Sequence, residues 1–412
     1  MSAPPATAPS APPPPYARPL VVPMRGRDPE EAHRTATPLE LLFDLCFVVA
    51  VSSAASALHH ALASGDIGHG VVMFLLVFFT IWWPWVNFTW FASAYDTDDV
   101  PYRLLTFVQM IGILVVTAAT PAVFDHLDFR VGVIGYVIMR AALVAQWLRA
   151  AAQDPVGRPV ALRFAIGIAV VQVLWVFRLA LDGPVGIVAL LVLGAAELLI
   201  PVWAERSGRH TPWHPEHVAE RYGLFTIIVL GECVLAASTA VQMALAAGEL
   251  SAAVIGIGLS GLVLVFGLWW TYFKVGAGID TGISMPRAFA WGYGHYVVFA
   301  SVAALGAGLG VATDWVTGHA ALQPVPVALT VAIPVAVYLI AVTMLHAWPL
   351  TRGHLGRVVV GCAALAVATG LALPLGVPAA IALMALIVAV LLTVNLVTAR
   401  RRARAASTAV VG

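Results

Sequence analysis

Thr37-Pro38-Leu39-Glu40-Leu41-Leu42-Phe43-Asp44-Leu45-Cys46-Phe47-Val48 opens an apolar run that continues to Leu58, with two carboxylates set into its first turns. A helix rises about 1.5 Å per residue, so about 20 such residues cross the hydrocarbon of a bilayer. Eleven further windows of the same kind follow, near 70–91, 103–121, 131–149, 161–181, 184–203, 222–243, 251–273, 288–310, 324–345, 357–373 and 378–398. Lipid offers the backbone no hydrogen-bond partner, so each window has to be helical through its depth. The expectation is an all-α polytopic membrane protein of about 12 transmembrane helices. The weakest divisions are the short turns at Asp182-Gly183-Pro184 and Pro374-Leu375-Gly376.

Composition agrees. Of 412 residues 61% are hydrophobic and 10% charged, against roughly 25% charged in soluble domains. A net charge of +1 and the lack of a basic patch outside tails and loops argue against a nucleic-acid partner. Cys46, Cys233 and Cys362 all lie in apolar runs and form no disulfide framework. The bilayer is the expected partner, with a small molecule or an ion as substrate, no cofactor, and no oligomeric state indicated.

The Lys and Arg residues orient the chain. With the N-terminus in the cytoplasm, nineteen of the 22 fall on the cytoplasmic side, at alternate loops from Arg103 through Arg149, Arg221 and Lys274 to Arg357. Arg130 is in an outside loop, and Arg140 and Arg178 are within spans. A miscounted span would invert this bias downstream of the error, and it never inverts. The reading is a cytoplasmic-membrane protein with both termini inside. Residues 1–35 form a Pro-rich tail expected to be disordered, 36–399 the membrane domain, and 400–412 a basic cytoplasmic tail.

The membrane domain reads as two halves, 36–205 and 206–399. Leu42-Phe43 and Leu224-Phe225 open corresponding spans, Trp82-Trp83 and Trp269-Trp270 lie in the next ones, and Asp96-Thr97 and Asp280-Thr281 follow in the loops. Their common order points to a 6+6 parallel internal repeat; similar composition and chance are the alternative. The tryptophan runs, Trp82-Trp83-Pro84-Trp85 included, read as an interfacial belt at the cytoplasmic ends of spans 2 and 8.

Ionisable residues inside spans are costly and face a bundle interior or a water path. Glu40 and Asp44 are four apart on one face of span 1. Glu220 and Arg221 open span 7 and Glu232 lies deep in it; Arg140 is mid-span 4, Arg178 is in span 5, Glu197 in span 6 and His295 in span 9. Two readings stand side by side. Asp44, Glu232 and Arg140 pair as register pins, or the acids carry protons or bind a cation in a polar cavity. Glu197 reads as a polar residue near the cytoplasmic end. His214, His217 and Glu220 follow i, i+3, i+6 spacing and are weak candidates for a metal, with Pro215 disturbing the helix start; a hydrogen-bonded anchor explains them better. No phosphate-cradling glycine loop, nucleophile elbow or zinc-protease motif is present.

The stretch quoted at the outset, together with Glu220-Arg221-Tyr222-Gly223-Leu224-Phe225 running to Leu230-Gly231-Glu232, resembles the two signature segments of the bacterial low temperature requirement A (LtrA) family. The Trp pairs and Tyr102-Arg103 fit it too, and the resemblance spans roughly residues 35–400. Cys233 stands where the family carries Ser. The resemblance implies a membrane location, many spans, and importance for Glu40, Asp44, Glu220, Arg221 and Glu232, without a biochemical role. From the residues, the expected function is a proton- or ion-coupled transporter or permease for a small solute. The alternatives are a membrane-embedded enzyme built on Asp44, His214, His217 and Glu220, acting on a lipid or hydrophobic metabolite, and a structural or sensory protein.

Overall fold

The computed structural model describes residues 19–31, 34–181, 183–206, 210–274, 283–346 and 352–411. Among them the chain is helical with no strand. The helices are α1 (Pro38–Ala63), α2 (Ile67–Tyr95), α3 (Val100–His126), α4 (Arg130–Gln153), α5 (Arg158–Arg178), α6 (Gly183–Glu205), α7 (Pro215–Ala246), α8 (Ala252–Lys274), α9 (Met285–Val316), α10 (Pro324–His346), α11 (Arg352–Gly370), α12 (Ala372–Leu375) and α13 (Val377–Val411). Eleven are long and apolar enough to cross a membrane, and the twelfth expected window is the shorter apolar stretch Leu355–Gly370 of α11. The chain is a multi-pass helical membrane protein.

Helix starts follow local chemistry. Thr37 caps α1 in a capping box with Glu40, and Pro38 stands at the first helical position, where its missing N–H costs nothing. Pro215 does the same for α7, with His214 as its cap. It starts the helix rather than disturbing it. Many observed helices run several residues past the expected windows, because α1 and α9 carry polar residues at their far ends, and α7 at its start, that hydropathy alone reads as loop. Asp280-Thr281, a landmark of the repeat, lies outside the described residues.

The segment expected to be disordered over 1–35 is ordered from residue 19 through 31 and again from 34. Val22 N–H donates to Asp99 (2.8 Å), Met24 N–H to the Gln153 side chain (2.7 Å) and Arg27 N–H to the Ala94 carbonyl (2.9 Å). Met24 is fully buried. The Ala94 carbonyl in the last turn of α2 and the side chains of Asp99 before α3 and Gln153 at the end of α4 hold this strap in place, and composition could not show that. At the other end α13 continues as helix through Arg400–Arg404, so the basic tail extends the last span.

Neighbours recur between the halves. α1 packs on α2 and α3, α3 on α4, α4 on α5 and α5 on α6; α7 packs on α8 and α9, α9 on α10, α10 on α11 and α11 on α13. The halves meet where α1 and α2 contact α7 and α9, which makes α9 the most enclosed span. One seam differs. α8 and α13 are tightly packed, whereas α2 and α6 are not a closely packed pair.

The Trp runs do not form one belt. Trp82, Trp83 and Trp85 are buried (2%, 0% and 0% exposed), while Trp269 and Trp270 are 43% and 47% exposed. The reason is length: α2 runs on to Tyr95, which places its tryptophans in the middle of the helix, against α1, α7 and α9.

Candidate functional site

Three places gather the ionisable side chains. The first lies between the N-terminal ends of α1 and α7. The four-residue spacing of Glu40 and Asp44 turns both inward, and Arg221 reaches across from α7. Its Nη1 donates to Glu40 Oε1 and its Nη2 to Asp44 Oδ1, each at 2.6 Å. His217 Nε2 is 3.2 Å from Glu40 Oε2, and Trp85 Nε1–H donates to Asp44 Oδ1 at 2.7 Å. Glu40, Asp44, His217 and Arg221 have no exposure. One guanidinium bridges two carboxylates here, and removing one partner of a buried pair costs about 3–5 kcal/mol. Asp44 Oδ2, His217 Nδ1 and Arg221 Nε remain without a partner in the protein. Glu220 stands beside the cluster and accepts from Ala36 N–H at 3.1 Å.

The second place is inside the first half. Arg140 Nη2 donates to Glu197 Oε2 at 2.6 Å, and Glu197 also accepts from Trp83 Nε1–H (2.9 Å) and Gln172 Nε2–H (2.8 Å). The expected pairing of Arg140 with Asp44 or Glu232 is therefore corrected: Asp44 belongs to Arg221 and Arg140 to Glu197. Glu197 is a fully buried hub tying α2, α4, α5 and α6, which a reading of its own span could not show.

The third place is a cavity of about 650 Å³ between the C-terminal parts of α1, α7 and α9. Glu232 lines it, half-buried, with Ser52, Ser56, Cys233 and Thr239. Nearer the mouth are His59, His60, Glu249, Asp314 and His319, and His59 Nε2 bonds Asp314 Oδ2 at 2.7 Å. Among the described residues no Lys or Arg lines this cavity. The eleven residues from Arg221 to Glu232 place it about 16 Å along α7 from the ion cluster. Aromatic rings fill the interval: Phe225 stacks on Trp85 (4.3 Å between centroids) and Phe299 meets Phe225 edge-on (5.0 Å).

Sequence reasoning missed His59, His60 and Asp314, because they fall just past the expected ends of spans 1 and 9. Histidines next to a span end were the available signal. His295 is buried apart from all three places, against Tyr272 Oη (2.9 Å) and the Trp291 carbonyl (2.8 Å). His214 and His217 do not converge with Glu220. His214 Nε2 bonds the Glu31 carbonyl (2.9 Å) while His217 turns to Glu40. Among the described residues no group of three potential metal ligands forms.

Outside the spans, Asp96, buried beneath the strap at the end of α2, has its carboxyl pushed up to about 6, by burial first and by the Glu40 charge second. Asp99 is held at about 2 by its bonds to Arg149 and backbone N–H groups, against its own desolvation.

A family model described as Bacterial low temperature requirement A protein (LtrA) matches residues 35–395. An uncharacterized protein of Rhizobium meliloti (strain 1021) is 28% identical over 280 residues, which cover 64% of this chain and 66% of that protein. No solved structure matches.

Proposed function

Since this chain belongs to the bacterial low temperature requirement A family, whose description names no substrate, we propose from the geometry that it is a proton- or ion-coupled transporter of a small solute. The observation that carries this reading is the one-sided cavity. Helices α1, α7 and α9 part around Glu232 at one end and are shut at the other by rings and an ion cluster. With both termini in the cytoplasm, as the arginine distribution argues, the cavity faces outward and the Glu40–Asp44–Arg221 cluster is the closed inner gate. Parallel halves that rock against one another are a common transporter plan, and the recurring neighbour relations support such a 6+6 repeat.

In this reading Glu232 is the coupling acid. It has no ion-pair partner among the described residues and it lines the cavity, so it can change protonation without breaking a salt bridge. Asp44 and Glu40 are gate residues. The three unpartnered polar atoms within their cluster mean that opening forfeits fewer bonds than a fully satisfied network would. An enzyme at Asp44, His214, His217 and Glu220 is disfavoured, because His214 and His217 turn to different partners and Asp44 is sealed from solvent.

The test uses the full chain in vesicles containing a pH-sensitive dye. An inward proton gradient is expected to dissipate faster than in empty vesicles, and Glu232→Gln to remove that excess while melting like the parent. A cysteine at Ala240 is expected to react with a membrane-impermeant thiol reagent from outside only. Parent flux equal to empty vesicles, with Ala240→Cys unreactive from outside, sinks the reading.

A further inference from the structure

Past the close approach of α8 to α13 at Gly267 and Val388, the two helices part toward the end of the bundle where the arginines gather. Helices α10 and α11 complete the walls of a cavity of about 380 Å³ there. That is within the roughly 300–1,000 Å³ typical of small-molecule sites. It lies in the second half, toward the opposite end from Glu232, and is independent of the transport reading.

The cavity is graded along its length. Its α13 wall runs from Val388 to Ala399, about 16 Å of helix. The deep part is apolar, with Leu339 and Val342 of α10, Val358 of α11, and Val388, Leu391 and Leu392 of α13. Leu391 and Leu392 are half-buried and keep surface free for an occupant, and Ala399 at the rim is exposed. The shallow part is cationic. Lys274, the last residue of α8, and Arg357, in the second turn of α11, line it together with Thr343 and Asn395. Among the described residues no Asp or Glu lines this cavity.

The cations decide what fits. Lys274 is half-buried, yet it makes no hydrogen bond or ion pair among the described residues. The like charges of Arg357 and Arg400 bear on it instead. Arg357 is held against the wall by its Nε–H, which donates to Asn395 Oδ1 at 2.5 Å. The hydroxyls of Thr271 and Thr398 bond back along their own helices, at 2.7 Å each. Thr343, 5% exposed, makes no side-chain hydrogen bond among the described residues. The positive-inside rule accounts for cations at span ends, but not for two of them turned onto one cavity without a counter-charge. An occupant that suits both parts carries a negative charge with acceptor oxygens at one end and an apolar chain at the other.

We propose that this cavity binds the phosphate group of an anionic glycerophospholipid of the cytoplasmic leaflet. Its oxygens accept from Lys274 and Thr343 beside the Arg357 charge, and an acyl chain lies along Leu391 and Val388. A free phosphate ion shares the headgroup chemistry but leaves the apolar part unfilled.

The experiment uses the full chain in phosphatidylcholine nanodiscs doped with a phosphatidylglycerol that carries a diazirine on one acyl chain, with labelled peptides mapped by mass spectrometry. Saturable labelling of α10 or α13 is expected, displaced by unlabelled phosphatidylglycerol and not by further phosphatidylcholine. Lys274→Gln and Arg357→Gln are each expected to weaken binding about fivefold. Lys274→Gln is expected to melt like the parent, and Lys274→Arg to keep the parent's affinity. Arg163→Gln, which removes a cation stacked over Trp203 on another part of the bundle, is expected to change nothing. Labelling that does not saturate, or that survives Lys274→Gln combined with Arg357→Gln, overturns the site. Equal weakening by Arg163→Gln also overturns it, by reducing the effect to general surface charge. Displacement by inorganic phosphate as complete as by phosphatidylglycerol overturns the lipid in favour of a free anion.

Discussion

Two seams of this membrane domain differ: α2 and α6 stand apart around a cavity of about 450 Å³, whereas α8 and α13 are closely packed. Helix α4 carries Arg140 in its middle, whereas α10, its counterpart in order, has no Asp, Glu, Lys, Arg or His from Pro324 to Leu345. The α2–α6 seam leaves a cavity, whereas α8 and α13 approach so closely that a Cβ on Gly267 would stand 2.6 Å from Val388. Helices that correspond in order thus pack unequally. A seam held by side-chain bonds at one level, Glu197 to Trp83, can stay open beside them. A seam held only by dispersion closes wherever small residues allow, since lipid supplies no hydrophobic drive to do it otherwise.

The largest effect is expected where the halves are tied together. Arg221→Gln leaves Glu40 and Asp44 buried without their cation, and we expect a loss on the order of 3–5 kcal/mol, read as little monodisperse protein after extraction. Adding Glu40→Gln and Asp44→Asn is expected to restore much of the yield. If Arg221→Gln melts like the parent, the halves are not held by this cluster.

Arg140→Gln is expected to cost somewhat less. The Glu197 it abandons keeps two neutral donors, Trp83 and Gln172. Glu197→Gln in the same chain is expected to recover most of the loss in melting temperature, while Asp44→Asn is not. Rescue by Asp44→Asn would mean that the two polar centres are one.

The seams themselves separate on a pair of glycines. Gly267→Ala crowds a stiff β-branched neighbour and is expected to lower stability by about 1 kcal/mol or more. Gly194→Ala, with open space around it, is expected to gain up to about 1 kcal/mol from helix propensity. Thermal melts of the two variants in one detergent decide this; equal shifts would mean that the two seams are packed alike.

The smallest effect is pH-dependent and belongs to the first half. The Asp96 carboxyl is raised from 3.8 to about 6. The folded state therefore holds a proton that the unfolded chain releases, so stability is fully present below about 4 and is lost as pH rises through 6. Asp96→Asn is expected to match the parent at pH 4 and to melt higher at pH 7.5. A constant offset between those pH values would show Asp96 to be ionised throughout.

The sequence by itself determined the spans and the inward turn of Glu40 and Asp44. Hydrocarbon requires unbroken apolar helix, and a four-residue spacing puts two side chains on one face whatever surrounds them. It also marked Arg221 and Glu232, through their positions in an otherwise apolar run. Only the tertiary structure decided who pairs with whom. Glu40 and Arg221 are 181 residues apart, and no periodicity within a span encodes its partner. The same limit hid the role of Glu197, whose three partners come from three other helices, and misplaced Trp82, whose burial depends on how far α2 runs and on what α9 sets against it. Cavities are further still from the sequence, because each is the space several helices fail to fill. Glu232 faces one and Asp44 does not, although both are acids set in apolar helices, because α1, α7 and α9 close at one end and part at the other.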